Sequence, residues 1–94
     1  MGDFFYMNMK LIFFHSPSCR TCKNQAEELD REAGGYDIQR VDVTSADAPT
    51  LMRRYHINDV PTIIGLNGKN QFVKKWVDFT RFDKIKAEMR NIEP

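Results

Sequence analysis

From Met9 to Phe14 the chain reads Met-Lys-Leu-Ile-Phe-Phe, a short apolar run that predicts a strand buried on both faces, as in a parallel sheet. Ser16, Pro17 and Ser18 interrupt it. Cys22, Ala26, Leu29 and Ala33 then recur at helical spacing, which places them on one face of an amphipathic helix closed by Gly34 and Gly35. From Tyr36 to Val43 partial alternation through Ile38, Val41 and Val43 predicts a second strand. Ser45 or Asp47 is positioned to cap a short helix through Leu51, Met52 and Tyr55, with Pro49 tolerated in its first turn.

Two further strands are expected, Thr62 to Leu66 and Gln71 to Val77, around a turn that Asn67 and Gly68 supply. In the second of these, Lys74 and Trp76 are expected to share the face of Phe72, the alternation of an edge strand. Thr80 reads as the start of a capping box, with Asp83 where Glu or Gln is usual. Phe82, Ile85, Met89 and Ile92 then line one face of a last helix. The sum is an α/β order, β-α-β-α-β-β-α, with helices on both faces of a mixed four-stranded sheet.

Ninety-four residues suffice for a single domain, 1–94, with one core. A net charge of +1 with interspersed signs gives no footprint for nucleic acid or for an anionic membrane. The N-terminal stretch is apolar and aromatic, with Phe4, Phe5 and Tyr6 clustered. It has no basic leader and no small-residue cleavage pattern, so the expected compartment is the cytoplasm. A monomer is expected.

That compartment bears on the two cysteines, Cys19 and Cys22, because a lone structural staple closing so short a loop is unusual where thiols are kept reduced. Cys19 stands where a helix starts, so free backbone N–H groups and the helix dipole favour its thiolate, as do the cations of Arg20 and Lys23. Cys22 faces inward and is expected to stay protonated. The pair then suits thiol–disulfide exchange: Cys19 as nucleophile, Cys22 as the resolving thiol. Two other uses stay open, a mixed metal site with His15 and His56 and a role as small hydrophobes. No second ligand pair has characteristic spacing, so no metal and no other cofactor is expected.

Ser-Pro-Ser-Cys-Arg-Thr-Cys after a buried strand, followed by Tyr55-His-Ile-Asn-Asp-Val-Pro-Thr62 and an Asn-Gly turn, resembles the thioredoxin superfamily. The resemblance implies that Pro61 is a cis-proline packed against the cysteines, that Val60 pairs its backbone with an extended substrate segment, and that Thr62 flanks it. Arg20 and Thr21 stand where thioredoxins carry Gly-Pro and glutaredoxins Pro-Tyr, so with Lys23 they are the residues expected to tune the pair. The glycine pair that helps glutaredoxins hold glutathione is absent, and Phe13 stands where thioredoxins bury an acid beside the inner thiol. Arg40 and Asp42 on the second strand are candidates to replace that acid, and His15 is a candidate proton shuttle.

The function implied is a thiol-disulfide oxidoreductase that reduces protein disulfides, drawing electrons from a thioredoxin-reductase-like or glutathione-based donor. The alternatives are a glutathione-dependent, glutaredoxin-like enzyme and a non-enzymatic metal-binding or interaction module.

Overall fold

The computed structural model describes residues 10–92; Phe4, Phe5 and Tyr6 lie outside them. The elements are β1 (Lys10–His15), α1 (Arg20–Glu32), β2 (Asp37–Asp42), α2 (Ala48–Arg54), β3 (Thr62–Leu66), β4 (Phe72–Val77) and α3 (Phe82–Ile92). They build one sheet in the order β2-β1-β3-β4. β1 runs parallel to β2 and antiparallel to β3, and β3 and β4 form an antiparallel hairpin.

β1 is apolar throughout because both its faces are covered, and its alternate residues divide the core in two. Leu11, Phe13 and Ile63 meet Cys22 and Leu29 of α1 and Phe82, Ile85 and Met89 of α3. Ile12, Phe14, Val41 and Ile64 meet Ala48, with Leu51 and Met52 of α2 packed against them. α1 ends as expected: Ala33 donates its N–H to the Leu29 carbonyl, and Gly35 takes up a φ of +92° that glycine adopts without cost. Trp76 is buried, and its Nε1–H donates to Glu88 Oε1 at 2.7 Å.

Three local expectations need correction. Phe72 does not share a face with Lys74 and Trp76. The β3–β4 register slips between Gly65 and Leu66, so Phe72 pairs with Leu66 while Lys74 pairs with Gly65. This bulge sends Phe72 to the α2 side of the sheet, 56% exposed beside Lys75, and leaves Val73 on the other core. Thr80 does not cap α3, because its hydroxyl donates to the Asp78 carbonyl. The Phe82 N–H in that first turn donates instead to Glu28 Oε2 of α1 at 2.8 Å, and Asp83 pairs with Arg81. Asp47 occupies the N-cap position of α2 but its side chain makes no capping bond, and the Ser45 hydroxyl donates to the Asp42 carbonyl.

A polar pair inside the first core joins distant parts of the chain. Gln25 is fully buried on α1; its Nε2 donates to the Thr80 carbonyl at 2.9 Å and its Oε1 accepts the Thr80 N–H at 2.8 Å.

Candidate active site

The strand-to-helix turn after β1 sets Cys19 at the N-cap of α1 in extended conformation. Its Sγ accepts the Cys22 N–H at 3.0 Å, the place where a capping oxygen usually sits. Cys19 and Cys22 are joined in a disulfide. Cys19 is half-buried, whereas Cys22 is only 3% exposed, among Phe13, Leu29 and Ile63. The pair is therefore asymmetric toward solvent. When the bond opens, the N–H that holds the sulfur of Cys19 is placed to hold its thiolate.

Across from the pair lies the loop before β3. The Val60–Pro61 peptide is cis, and the Val60 carbonyl oxygen stands 3.9 Å from Cys19 Sγ. The loop is braced on both sides: Thr62 Oγ1 donates to the Asp59 carbonyl at 2.7 Å, and the Asp78 N–H donates to the Pro61 carbonyl at 2.8 Å. Asp78 holds a left-handed φ of +72° to make this turn, and its carboxylate accepts the Phe79 N–H. Through Thr80 the same turn is tied to Gln25 on the helix that carries both cysteines. Cys19, Cys22, Val60, Pro61 and Thr62 thus converge.

The residues expected to tune the pair divide. Arg20 opens α1 and is exposed, and Thr21 is half-buried behind it. Lys23 instead lines a cavity of about 230 Å³ beside Cys22, together with Phe13, His15, Ala26 and Arg40. Arg40 reaches this place because β2 is parallel to β1 with Phe13 opposite Arg40. Its guanidinium carbon sits 5.9 Å from the Phe13 ring centre, and Nη2 pairs with Asp30 at 2.7 Å.

Asp42, opposite His15, accepts both the hydroxyl and the N–H of Thr44 on one oxygen, at 2.7 and 2.8 Å. Those two bonds, and the charge of His15, hold its carboxyl below the usual aspartate range. Arg40, not Asp42, lines the cavity where the acid was sought.

His56 lies elsewhere, beyond α2, in a cavity of about 630 Å³ shared with Arg54, Tyr55, Phe72 and Lys75. Among the described residues no three His, Cys, Asp or Glu side chains gather as a metal centre would. Nor is any described helix long and apolar enough to cross a membrane. Sequence reasoning missed Gln25 and Glu28, which lock the cysteine helix to the segment beside the proline loop. Gln25 had a signal, since it falls on the helical face of Cys22 and Leu29.

The fold has solved counterparts. Thioredoxin-2 of the malaria parasite superposes with a TM-score of 0.74 at 20% identity, over 88% of this chain and 82% of that one. A thioredoxin mutant from Halobacterium salinarum gives 0.77 at 18% identity, over 93% and 76%. Schistosoma mansoni thioredoxin gives 0.73 at 22% identity, over 90% and 79%. Among curated proteins no significant sequence match was found. Fold and Cys-x-x-Cys disulfide together support a thiol–disulfide redox role in general terms. The family described as Glutaredoxin-like domain (DUF836) matches residues 10–90, nearly all of the sequence, and this chain therefore belongs to that family within the thioredoxin superfamily.

Proposed function

We propose that this protein reduces protein disulfides through a reversible Cys19–Cys22 dithiol/disulfide couple. The observation that carries the reading is the placement of Cys19: a half-exposed sulfur at a helix N-cap, in contact with a backbone N–H and 3.9 Å from the Val60 carbonyl. The thiolate of Cys19 attacks a substrate disulfide and forms a mixed disulfide. Cys22, buried three residues on, attacks Cys19 Sγ and releases the reduced substrate. An extended substrate segment lies along Val60, Pro61 and Thr62, and Arg20, Thr21 and Lys23 adjust the thiolate. Main-chain pairing suits substrates of varied sequence.

The test is reduction of a model protein disulfide by dithiol-loaded protein, compared with Cys19→Ser. Loss of activity in the variant is expected; equal background rates in both would overturn the reading.

The family match favours a second reading, in which glutathione supplies the electrons. Turnover that needs glutathione and survives Cys22→Ser would select it, because a monothiol route uses only the outer sulfur. Turnover supported by a thioredoxin-reductase-like donor and lost in Cys22→Ser would select the first.

A further inference from the structure

Resolution of a mixed disulfide requires the thiolate of Cys22, and a thiol in an apolar core resists ionisation. Phe13 cannot accept its proton, although it is one of the residues against the inner sulfur. What lies beyond Phe13 is the cavity of about 230 Å³, which Cys22 and His15 both line. It is roomy enough for several waters at about 30 Å³ each, and it has polar side chains to hold them.

His15 is the last residue of β1, on the same side of the sheet as Phe13, with its ring 5.2 Å from that of Phe13. Opposite it on β2 stands Asp42, whose carboxylate is fixed by Thr44 and is ionised at neutral pH. The order Cys22, cavity, His15, Asp42 is that of a thiol, a proton acceptor and an anion to balance the acceptor's charge.

We propose that His15, backed by Asp42, is the proton acceptor for Cys22 in the resolving step, through water in the cavity between them. This deepens the reductase reading and rests on it. The Cys22 S–H proton passes by way of a cavity water to the imidazole. The sulfur's electron pair forms the bond to Cys19 Sγ, and the bond from Cys19 to the substrate sulfur breaks. The leaving sulfur keeps that electron pair and takes a proton from solvent. Substrate gains two electrons and the dithiol loses them.

The charged groups around His15 fit the role. From α1 comes Lys23, and from β2 come Arg40, paired with Asp30, and Asp42. β3 carries no titratable side chain. The two cations line the cavity where the Cys22 thiolate forms, and Asp42 stands opposite the residue that takes the proton.

The chromogenic disulfide dithiobis(nitrobenzoate) separates the steps. Cys19 releases one coloured thiolate on attack, and Cys22 releases the second on resolution, both readable by stopped flow. For wild type the resolving rate is expected to show an inflection between about pH 5 and 8, where imidazoles titrate. In His15→Gln that inflection is expected to vanish, with the resolving rate at neutral pH reduced about tenfold or more relative to the first phase. Asp42→Asn keeps the imidazole and is expected to keep the inflection, with a smaller loss of rate. A His15→Gln profile that superposes on wild type would overturn the proposal, as would equal slowing of both phases. Wild-type protein that releases no coloured thiolate would instead sink the reductase reading itself.

Discussion

Replacement of Gln25 by Leu removes the one side chain that answers both backbone groups of Thr80. Leu fits the site in size and apolarity, so packing changes little while two buried polar groups lose their partners. Each unanswered group costs about 1–3 kcal/mol, so the pair costs about 2–6. The apolar gain of Leu offsets about 1 kcal/mol of that, leaving a net loss of about 1–5 kcal/mol. For a domain of this size, with a urea slope near 1 kcal/mol per molar, the unfolding midpoint is expected to fall by about 1 M or more. Trp76, the only tryptophan and buried, provides the fluorescence signal. A midpoint lowered by less than about 0.5 M at unchanged slope would refute the reasoning, because it would mean that Thr80 finds other partners at little cost. The site should feel the same change, since Thr80 follows the turn whose Asp78 N–H braces Pro61.

Gly65→Val is expected to destabilise by about 1–3 kcal/mol, lowering the melting temperature by roughly 4–8 °C for each kcal/mol. A Cβ at Gly65 would stand 2.7 Å from Met89 Sδ and 3.1 Å from Trp76 Cη2; an unchanged melting temperature would show that Met89 swings aside freely. Acid stability should depend on Glu88, whose carboxyl is held below the usual glutamate range by the Trp76 N–H and by Lys74. A depressed folded value gives stability that is present above the unfolded pKa, about 4.3, and is lost as pH falls through the folded one. Glu88→Gln should therefore be less stable than wild type at neutral pH, with the gap closing below about pH 4 in urea titrations. A gap constant across that range would count against the hydrogen bonds as its source.

The backbone plan was legible because its signals are local. The run from Leu11 to Phe14 has no polar interruption, and the bounds of β3 follow from Pro61 on one side and the Asn-Gly turn on the other. Phe72 was misplaced because a strict period of two assumes an unbroken ladder. The readable warning was Gly65, a glycine inside a strand, where bulges gather. Thr80 looked like a cap because capping boxes are local patterns, whereas Glu28 reaches α3 across 54 residues and leaves no local trace.

The same holds at the site. Cys19, Cys22 and the proline loop were found from motifs, but the placement of Arg40 depends on the β1–β2 register, which no neighbouring residue specifies. Buried Gln25 broke the apolar stripe at helical spacing, and a polar residue there could have been read as one with a buried partner.

The bulge between β3 and β4 also bears on how the molecule keeps to itself. β4 is the outer strand of the sheet, and a straight outer strand offers its backbone N–H and C=O groups as a template on which another chain can add. The extra residue bends β4 and breaks the even spacing of those groups, and beyond it Lys74 and Lys75 project to opposite faces of the strand. An incoming strand would meet a kinked ladder. At the opposite margin β2 exposes Asp37, Gln39 and Arg40, so both rims of the sheet discourage growth into an aggregate.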